Sequence, residues 1–403
     1  MDPITHAASG AVAMLALPHR PATRWAVPLA AIAAASPDID VLFCHTPLQF
    51  LQLHRGITHS LAAAPLMGLL LALLARPLWR SNTPGCWSFA KVWLFMVCMV
   101  LLHIWLDIIT TYGTMIYLPF SYERVRLNAV FIIDLLLTLP LLWAVWRWRA
   151  RRGLMRLTLA WIIAYPLLCV GLNAWHTAQT QQRLASEGRA AGQIVVLPDG
   201  FGPLFWRTLY EEDGPGGRLV YSQGLDVLGR PHDDPVAHTA APPELMAALA
   251  RQSVAADAFF DFTLLPVMTS LPASDMPHGM SGVPASSAAS GTADTASPSD
   301  TAAEAPKRNA TYVLFHDLRF GSSLKLVRAA MASRPNADIP FQYMTRLEMP
   351  AAGEAPTPEA EKQTDVRLLQ ERLRFSDSGR DSQWQAPRPP AEPGILDWLV
   401  GLR

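Results

Sequence analysis

The stretch FAKVWLFMVCMVLLHIWLDIITTYG, residues 89–113, decides how this chain reads. Residues 89–106 are almost wholly apolar and approach the roughly 20 residues a membrane-spanning helix requires. At the end of the run stand His103 and Asp107. They are four apart, so they share one helix face about one turn from each other. Gly113 follows as the expected C′ stop of that helix. Ionisable groups at membrane depth are costly and normally face a protein interior or a water-filled cavity. The His–Asp spacing suits two ligands of one metal, or a ligand and the carboxylate that orients it. A hydrogen-bonded pair capping the helix end is the plainer alternative.

Working outward, five more apolar segments are predicted, at residues 4–17, 24–36, 61–78, 129–147 and 154–176. The first two are short and Ala-rich, so tilted, partly buried or re-entrant helices are expected there. The other three are long enough to span. Basic residues orient the bundle. Loops after the first, third and fifth segments carry Arg20, Arg24, Arg76, Arg80, Lys91, Arg147, Arg149, Arg151, Arg152 and Arg156, whereas the opposite loops hold Arg55, Arg124 and Arg126. This asymmetry puts the first set in the cytoplasm. The N-terminus, MDPITHAASG, lacks the basic region of a signal peptide, so its segment is expected to be retained with His6.

With that orientation, the polar residues of the apolar half gather on the outer side. His6 begins the first segment, and Asp38 and Asp40 end the second. His54 and His59 in HRGITHS precede the third, and His103 and Asp107 end the fourth. Asp134 lies inside the fifth, in FIIDLLLTLP, about one and a half turns deep. A buried carboxylate there needs a partner, and the cluster is the nearest candidate. Loop charges did not select these residues, yet all fall at one level. That convergence points to a divalent metal, most plausibly zinc, as one or two ions. Its candidate ligands are His6, Asp38, Asp40, His54, His59, His103 and Asp107. Carboxylates bind Zn, Mn and Mg alike, so DxD by itself selects no metal. Asp107, Asp134 and Asp40 are the candidate catalytic carboxylates. Arg55, Arg124 and Arg126, the cations on that side, are candidates for an anionic substrate group; a juxtamembrane anchor is the alternative for Arg55. Pro140 is expected to kink the fifth helix.

The chain has 403 residues, of which 16% are charged, and zero formal net charge, so nothing favours a nucleic-acid partner. Its 4 cysteines form no disulfide or thiolate-metal pattern.

In order, MDPITHAASG, the SPDIDVL turn, HRGITHS, HIWLDIITTYGT with PFS after it, and FIIDLLL resemble the YdjM-like inner-membrane proteins, described as membrane-bound metal-dependent hydrolases. The resemblance is dense over about residues 1–180 and thin through FWRTLYEEDG and YVLFHDLRFG. It implies that His6, Asp38, Asp40, His54, His59, His103, Asp107 and Asp134 are a shared polar signature, and that the chain is a hydrolase of the bacterial inner membrane.

After Trp175 the composition changes. QIVVLP, LFWRTLY, RLVYSQGL, TYVLFHDLRF and IPFQYMTRLEM alternate apolar residues and predict short strands. The fold class expected is therefore a mainly α membrane protein. A bundle of four to six transmembrane helices over residues 1–178 precedes a small β-rich extracytoplasmic domain at 190–270 and 309–348. A disordered insertion is expected at 271–308. A Pro/Ala-rich tail follows at 349–403, with a short helix at 365–375 and an amphipathic one at ILDWLVGL. The β domain is expected to cover the mouth of the membrane site.

Three functions fit these residues. A metal-dependent hydrolase at the outer membrane–water boundary would act on a lipid or lipid-linked phosphoester, with membrane lipids as its partners. A proton or ion transporter needs polar residues continuing toward the cytoplasm, where the long segments are nearly all apolar. A non-catalytic envelope or stress-response protein would hold its metal structurally. Sequence fixes no oligomeric state.

Overall fold

In the computed structural model, residues 1–79, 85–214, 217–271, 310–325, 327, 341–348, 366–375, 383–391 and 394 are described. Of the insertion expected at 271–308, all but Leu271 lies outside them, as does the ILDWLVGL helix.

Helix α1 (Pro3–Ala16) begins where the Asp2 carboxylate accepts from the N–H groups of Ile4 and Thr5, with Pro3 in the first turn. It packs on α2 (Ala26–Ala35) backbone to backbone. A Cβ on Gly10 would lie 2.3 Å from the Ala30 carbonyl oxygen, so only glycine permits this approach. The short α3 (Pro47–Leu53), absent from the sequence expectation, is closed by a capping box between Thr46 and Gln49. Next come α4 (Ala64–Trp79) and α5 (Phe89–Ile108), which meet closely at Gly68 and Val97.

Beyond α2 the chain tightens into a 3-10 helix, Ser36–Phe43, and the two together form an apolar stretch long enough to cross a membrane. The second segment is thus longer than expected. Among the described residues, α5 and the 35-residue α7 (Arg152–Ser186) pass the same test. Pro47–His59 and α4 make a candidate broken span bent by 77°. The fifth segment is shorter than expected. Helix α6 spans Leu135–Arg147 and starts only after Asp134, which is its N-cap and not a residue one and a half turns inside. Pro140 sits within α6 without ending it. Many outward side chains are large and apolar, among them Leu66, Leu74, Leu94, Trp146 and Leu157. That is the surface a hydrocarbon environment requires, and the chain is a membrane protein.

Helix α5 stops before the expected glycine. The Thr110 N–H and hydroxyl both bond the Asp107 carbonyl, closing the last turn as an i→i+3 turn. Gly113 instead serves the following loop, at φ +93° and against Arg124 and Arg126.

Helix α7 runs about ten residues past its expected end, over a total length of about 52 Å at 1.5 Å per residue. It leads into an antiparallel sheet of β1 (Ile194–Pro198), β2 (Phe205–Gly214), β3 (Gly217–Asp226) and β4 (Val236–Thr239), in that spatial order. Helices α8 (Pro243–Gln252) and α9 (Val254–Phe262) precede a second antiparallel sheet, β5 (Pro266–Ser270), β6 (Ala310–Asp317), β7 (Phe341–Glu348) and β8 (Arg367–Phe375). Every strand predicted from sequence is present. Residues 367–375, expected as a helix in the tail, are instead the last strand of the second sheet.

Both sheets pack on the ends of the helices. Val196, Trp206 and Leu225 of the first sheet share a core with Leu106, Ile109, Val130 and Tyr165. In the second unit, Phe259, Phe262, Phe315, Phe341 and Tyr343 close over Phe50, Leu51 and Tyr112. The β-rich part therefore sits directly against the end of the helical part that carries His103 and Asp107.

Candidate metal centre

Three elements bring His59, His103, Asp38 and Asp107 together. Helix α5 presents His103 and Asp107 from one face, with Nε2 of His103 3.4 Å from Oδ2 of Asp107. The turn Ile57–His59 carries His59 inward, and its Nε2 lies 3.2 Å from the same oxygen. The 3-10 helix delivers Asp38, whose Oδ1 stands 3.5 Å from His59 Nε2 and 3.6 Å from His103 Nε2. At three residues per turn, Asp38 and Asp40 diverge by about 120°. Asp38 thus reaches the inner nitrogens, and Asp40 the outer nitrogen of His59.

The two imidazoles face each other Nε2 to Nε2 at 3.0 Å, and their tautomers follow from what the other nitrogens do. Nδ1 of His103 donates to the Ala34 carbonyl at 2.7 Å. The Thr58 hydroxyl donates to Asp40 and accepts from Nδ1 of His59 at 3.0 Å. In the neutral rings both Nε2 atoms then carry lone pairs, aimed at each other and at two carboxylates. Among the described residues, Oδ2 of Asp107 and both nitrogens of His6 are buried without a hydrogen-bond partner. Such an arrangement is unfavourable unless a cation lies among the acceptors.

The dimensions agree. Bonds of about 2.0–2.1 Å in a tetrahedral site place neighbouring ligand atoms about 3.3 Å apart. The contacts above run from 3.0 to 3.6 Å, and the four ligand atoms all lie within 4.8 Å of one another. Asp38, Asp40 and His54 form a second group by the same measure, so Asp38 is common to both. The residues fit one ion well, and a second could share Asp38.

The remaining predicted residues divide. His6 stacks on His103 at 3.7 Å and sets Nε2 3.3 Å from Asp107 Oδ1, so it stands beside the four. The nitrogen of Met1 touches that same oxygen. Asp40 is engaged on all sides: His54 Nδ1 at 3.1 Å, the Arg55 N–H at 2.9 Å, and the Thr58 hydroxyl. Its place is behind His59, 3.3 Å from Nδ1, and beside His54, where it orients both rings. Arg55, at φ +57° and 2% exposed, pairs with Asp107 at 3.1 Å, bonds Thr110 Oγ1 and lies over the Tyr112 ring.

Three residues are not brought to the cluster. The carboxylate of Asp134 accepts from the Leu137 N–H at 3.0 Å and from the Tyr165 hydroxyl at 2.8 Å. The partner it needed is a tyrosine of α7, not the metal group. Arg124 donates to the Leu51 carbonyl and lies over Phe262. Arg126 lies against Gly113, where burial and then Arg319 and Arg124 push its pKa down to about 9. Neither lines the cavity described next.

That cavity, about 560 Å³, opens beside the cluster and is bounded by Asp38, His54, Arg55 and Tyr112. Its other walls are mostly apolar: Val41 and Leu42 from the 3-10 helix, Phe131 and Ile132 before α6, and Pro198, Phe320 and Phe375 from the β-rich part. Arg319 also reaches it, with its guanidinium held by Asp317 and by the carbonyls of Thr111, Tyr112 and Phe262. Sequence reasoning missed Arg319, Phe320 and Phe375. The signal in reach was the thin resemblance through YVLFHDLRFG, which contains the first two.

These features define a helical membrane protein with a buried His/Asp cluster able to hold a metal ion. Residues 1–177 match the family model described as YdjM inner membrane protein, the family that the sequence motifs resemble. A Bacillus subtilis (strain 168) protein described as "Uncharacterized protein YfhP" is 30% identical over 132 residues, which are 32% of this chain and 39% of that protein. The chain thus spans about two fifths of that relative's length. No solved structure matches the chain significantly.

Proposed function

We propose that this protein is a metal-dependent hydrolase that cleaves a phosphoester at the outer face of the bacterial inner membrane. One observation carries the reading: two imidazoles and two carboxylates converge at ligand spacing, and one of them, Asp38, lies on the wall of a largely apolar cavity. Asp38 is the most exposed of the four, with 18% of its side chain accessible, and it faces the cavity, which supports an open coordination position rather than a closed structural site.

Zinc suits the two-imidazole, two-carboxylate set, and when bound a divalent ion polarises a phosphoryl oxygen and lowers the pKa of water. The chain's own groups do the rest. Arg55 and Arg319 offer positive charge to the phosphoryl group. His54 lines the cavity with Nδ1 held by Asp40, which leaves its other nitrogen to exchange a proton with the attacking water or the leaving oxygen. The apolar walls exclude competing water. The excess of basic residues in the opposite loops supports an outward-facing site, with the β-rich part extracytoplasmic.

The test is turnover by purified full-length protein, stripped of metal and reloaded with Zn, Mn or Mg, against phosphatidic acids and lipid-linked phosphates. Metal-dependent turnover that is lost in His103→Ala supports the reading. Tight metal binding that stabilises the fold, with no phosphoester turned over, would instead establish a non-catalytic role.

A further inference from the structure

The cavity borders a groove on the outside of the helical part. Pro3 lines the cavity edge and also heads this groove, of about 620 Å³ between α1 and α6, formed by Ala7, Ala8, Leu142, Val145 and Trp146. The two helices start at the same end, tied where the Thr5 and Thr138 hydroxyls meet at 2.6 Å, so the groove descends away from the cluster. Two small side chains on α1 make the space. With Thr5 level with Thr138, Pro3 stands level with Leu136, and Trp146 lies ten residues further along α6, about 15 Å at 1.5 Å per residue. That is close to the depth of one leaflet, half of a hydrocarbon core of about 30 Å. At the mouth, Leu42 (70% exposed) and Ile132 present apolar surface beside Asp38 and Arg55.

We propose that the substrate is a phosphoester of a membrane lipid, processed without leaving its leaflet, with its phosphate at Arg55 and Arg319 and a fatty acyl chain lying in the groove between α1 and α6. The reaction rests on the hydrolase reading above; the groove does not. A water-soluble phosphoester would have no use for a track of leaflet depth that begins at the cavity edge.

Phosphatidic acids with dihexanoyl and dipalmitoyl chains, in mixed micelles of constant composition, separate these ideas. Bound lipid is counted by native mass spectrometry, and turnover is followed in parallel. The wild type should hold the dipalmitoyl probe at least tenfold more tightly than the dihexanoyl one. Ala7→Phe, and independently Leu142→Trp from the opposite wall, should remove that tenfold preference while leaving dihexanoyl binding and metal content in place. Preserved preference in both variants, equal weakening of both probes, or no lipid bound by the wild type overturns the groove. Chain-length-dependent binding with no turnover of either probe keeps the groove and overturns the hydrolase reading. Equal turnover of both probes, untouched by either substitution, does the reverse.

Discussion

His59 and His103 meet Nε2 to Nε2 at 3.0 Å, each with Nδ1 committed as a donor, to Thr58 and to the Ala34 carbonyl. Two nitrogens facing each other inside a buried group, with Asp107 and Asp38 closing the other sides, form a cluster able to hold a cation, built across 44 residues of separation. The expected consequences follow from which atoms touch that centre and which stand behind it.

Removing an inner group should empty the site. In His103→Ala and Asp107→Asn, metal retained after purification should fall to about a tenth or less, with expression unchanged. Asp107→Asn also leaves Arg55 as a buried, unpaired charge, a loss of the order of 3 kcal/mol. Its melting temperature should therefore drop below that of His103→Ala. Wild-type metal content in both variants, by elemental analysis, would end the metal-site reading.

Asp40 should behave differently. It stands against Nδ1 of His59 and of His54, and loss of such a partner typically weakens metal affinity by about 10–100-fold. Asp40→Asn should therefore refill at raised zinc concentration, as followed by competition with a chelator. Failure to refill at any concentration would make Asp40 a direct ligand.

Asp134 belongs to the framework. Tyr165→Phe removes one hydrogen bond to its carboxylate and should cost about 1.5–3 kcal/mol of stability. Metal content should stay at the wild-type level in Tyr165→Phe and in Asp134→Asn. Metal loss in either, without unfolding, would return Asp134 to the site.

Arg319 joins the β-rich part to the loop after α5 through the Thr111 and Tyr112 carbonyls. Arg319→Ala should hold its metal but expose the β-rich part to limited proteolysis and reduce lipid binding. Arg319→Lys should not rescue, since an ammonium cannot serve Asp317 and three carbonyls in one plane. Full rescue by lysine would reduce the role to charge alone.

The sequence alone determined the apolar helices, the strands of both sheets that alternate cleanly, and the gathering of His and Asp at one end of the helices. These are local properties: hydropathy along a run, a period of two, and the place of a polar residue in its own helix. Where the reading failed, a non-local contact had the deciding vote. RLLQERLRF, residues 367–375, reads as helix because its strand period is hidden. The register shifts between Arg346 and Leu347 of the neighbouring strand, and Glu371 is buried with Ser253 and Tyr343 as partners. By sequence Asp134 needs a partner and the cluster is the nearest candidate, and only packing shows that α7 brings it Tyr165. Tertiary structure likewise separated Asp38 from Asp40, one facing the centre and one standing behind it. It also carried Arg319 and Phe320 from far along the chain to the cavity wall. Hydropathy is written residue by residue, but the partner of a buried charge is whatever side chain the closed fold leaves within about 3 Å, and no local pattern encodes that.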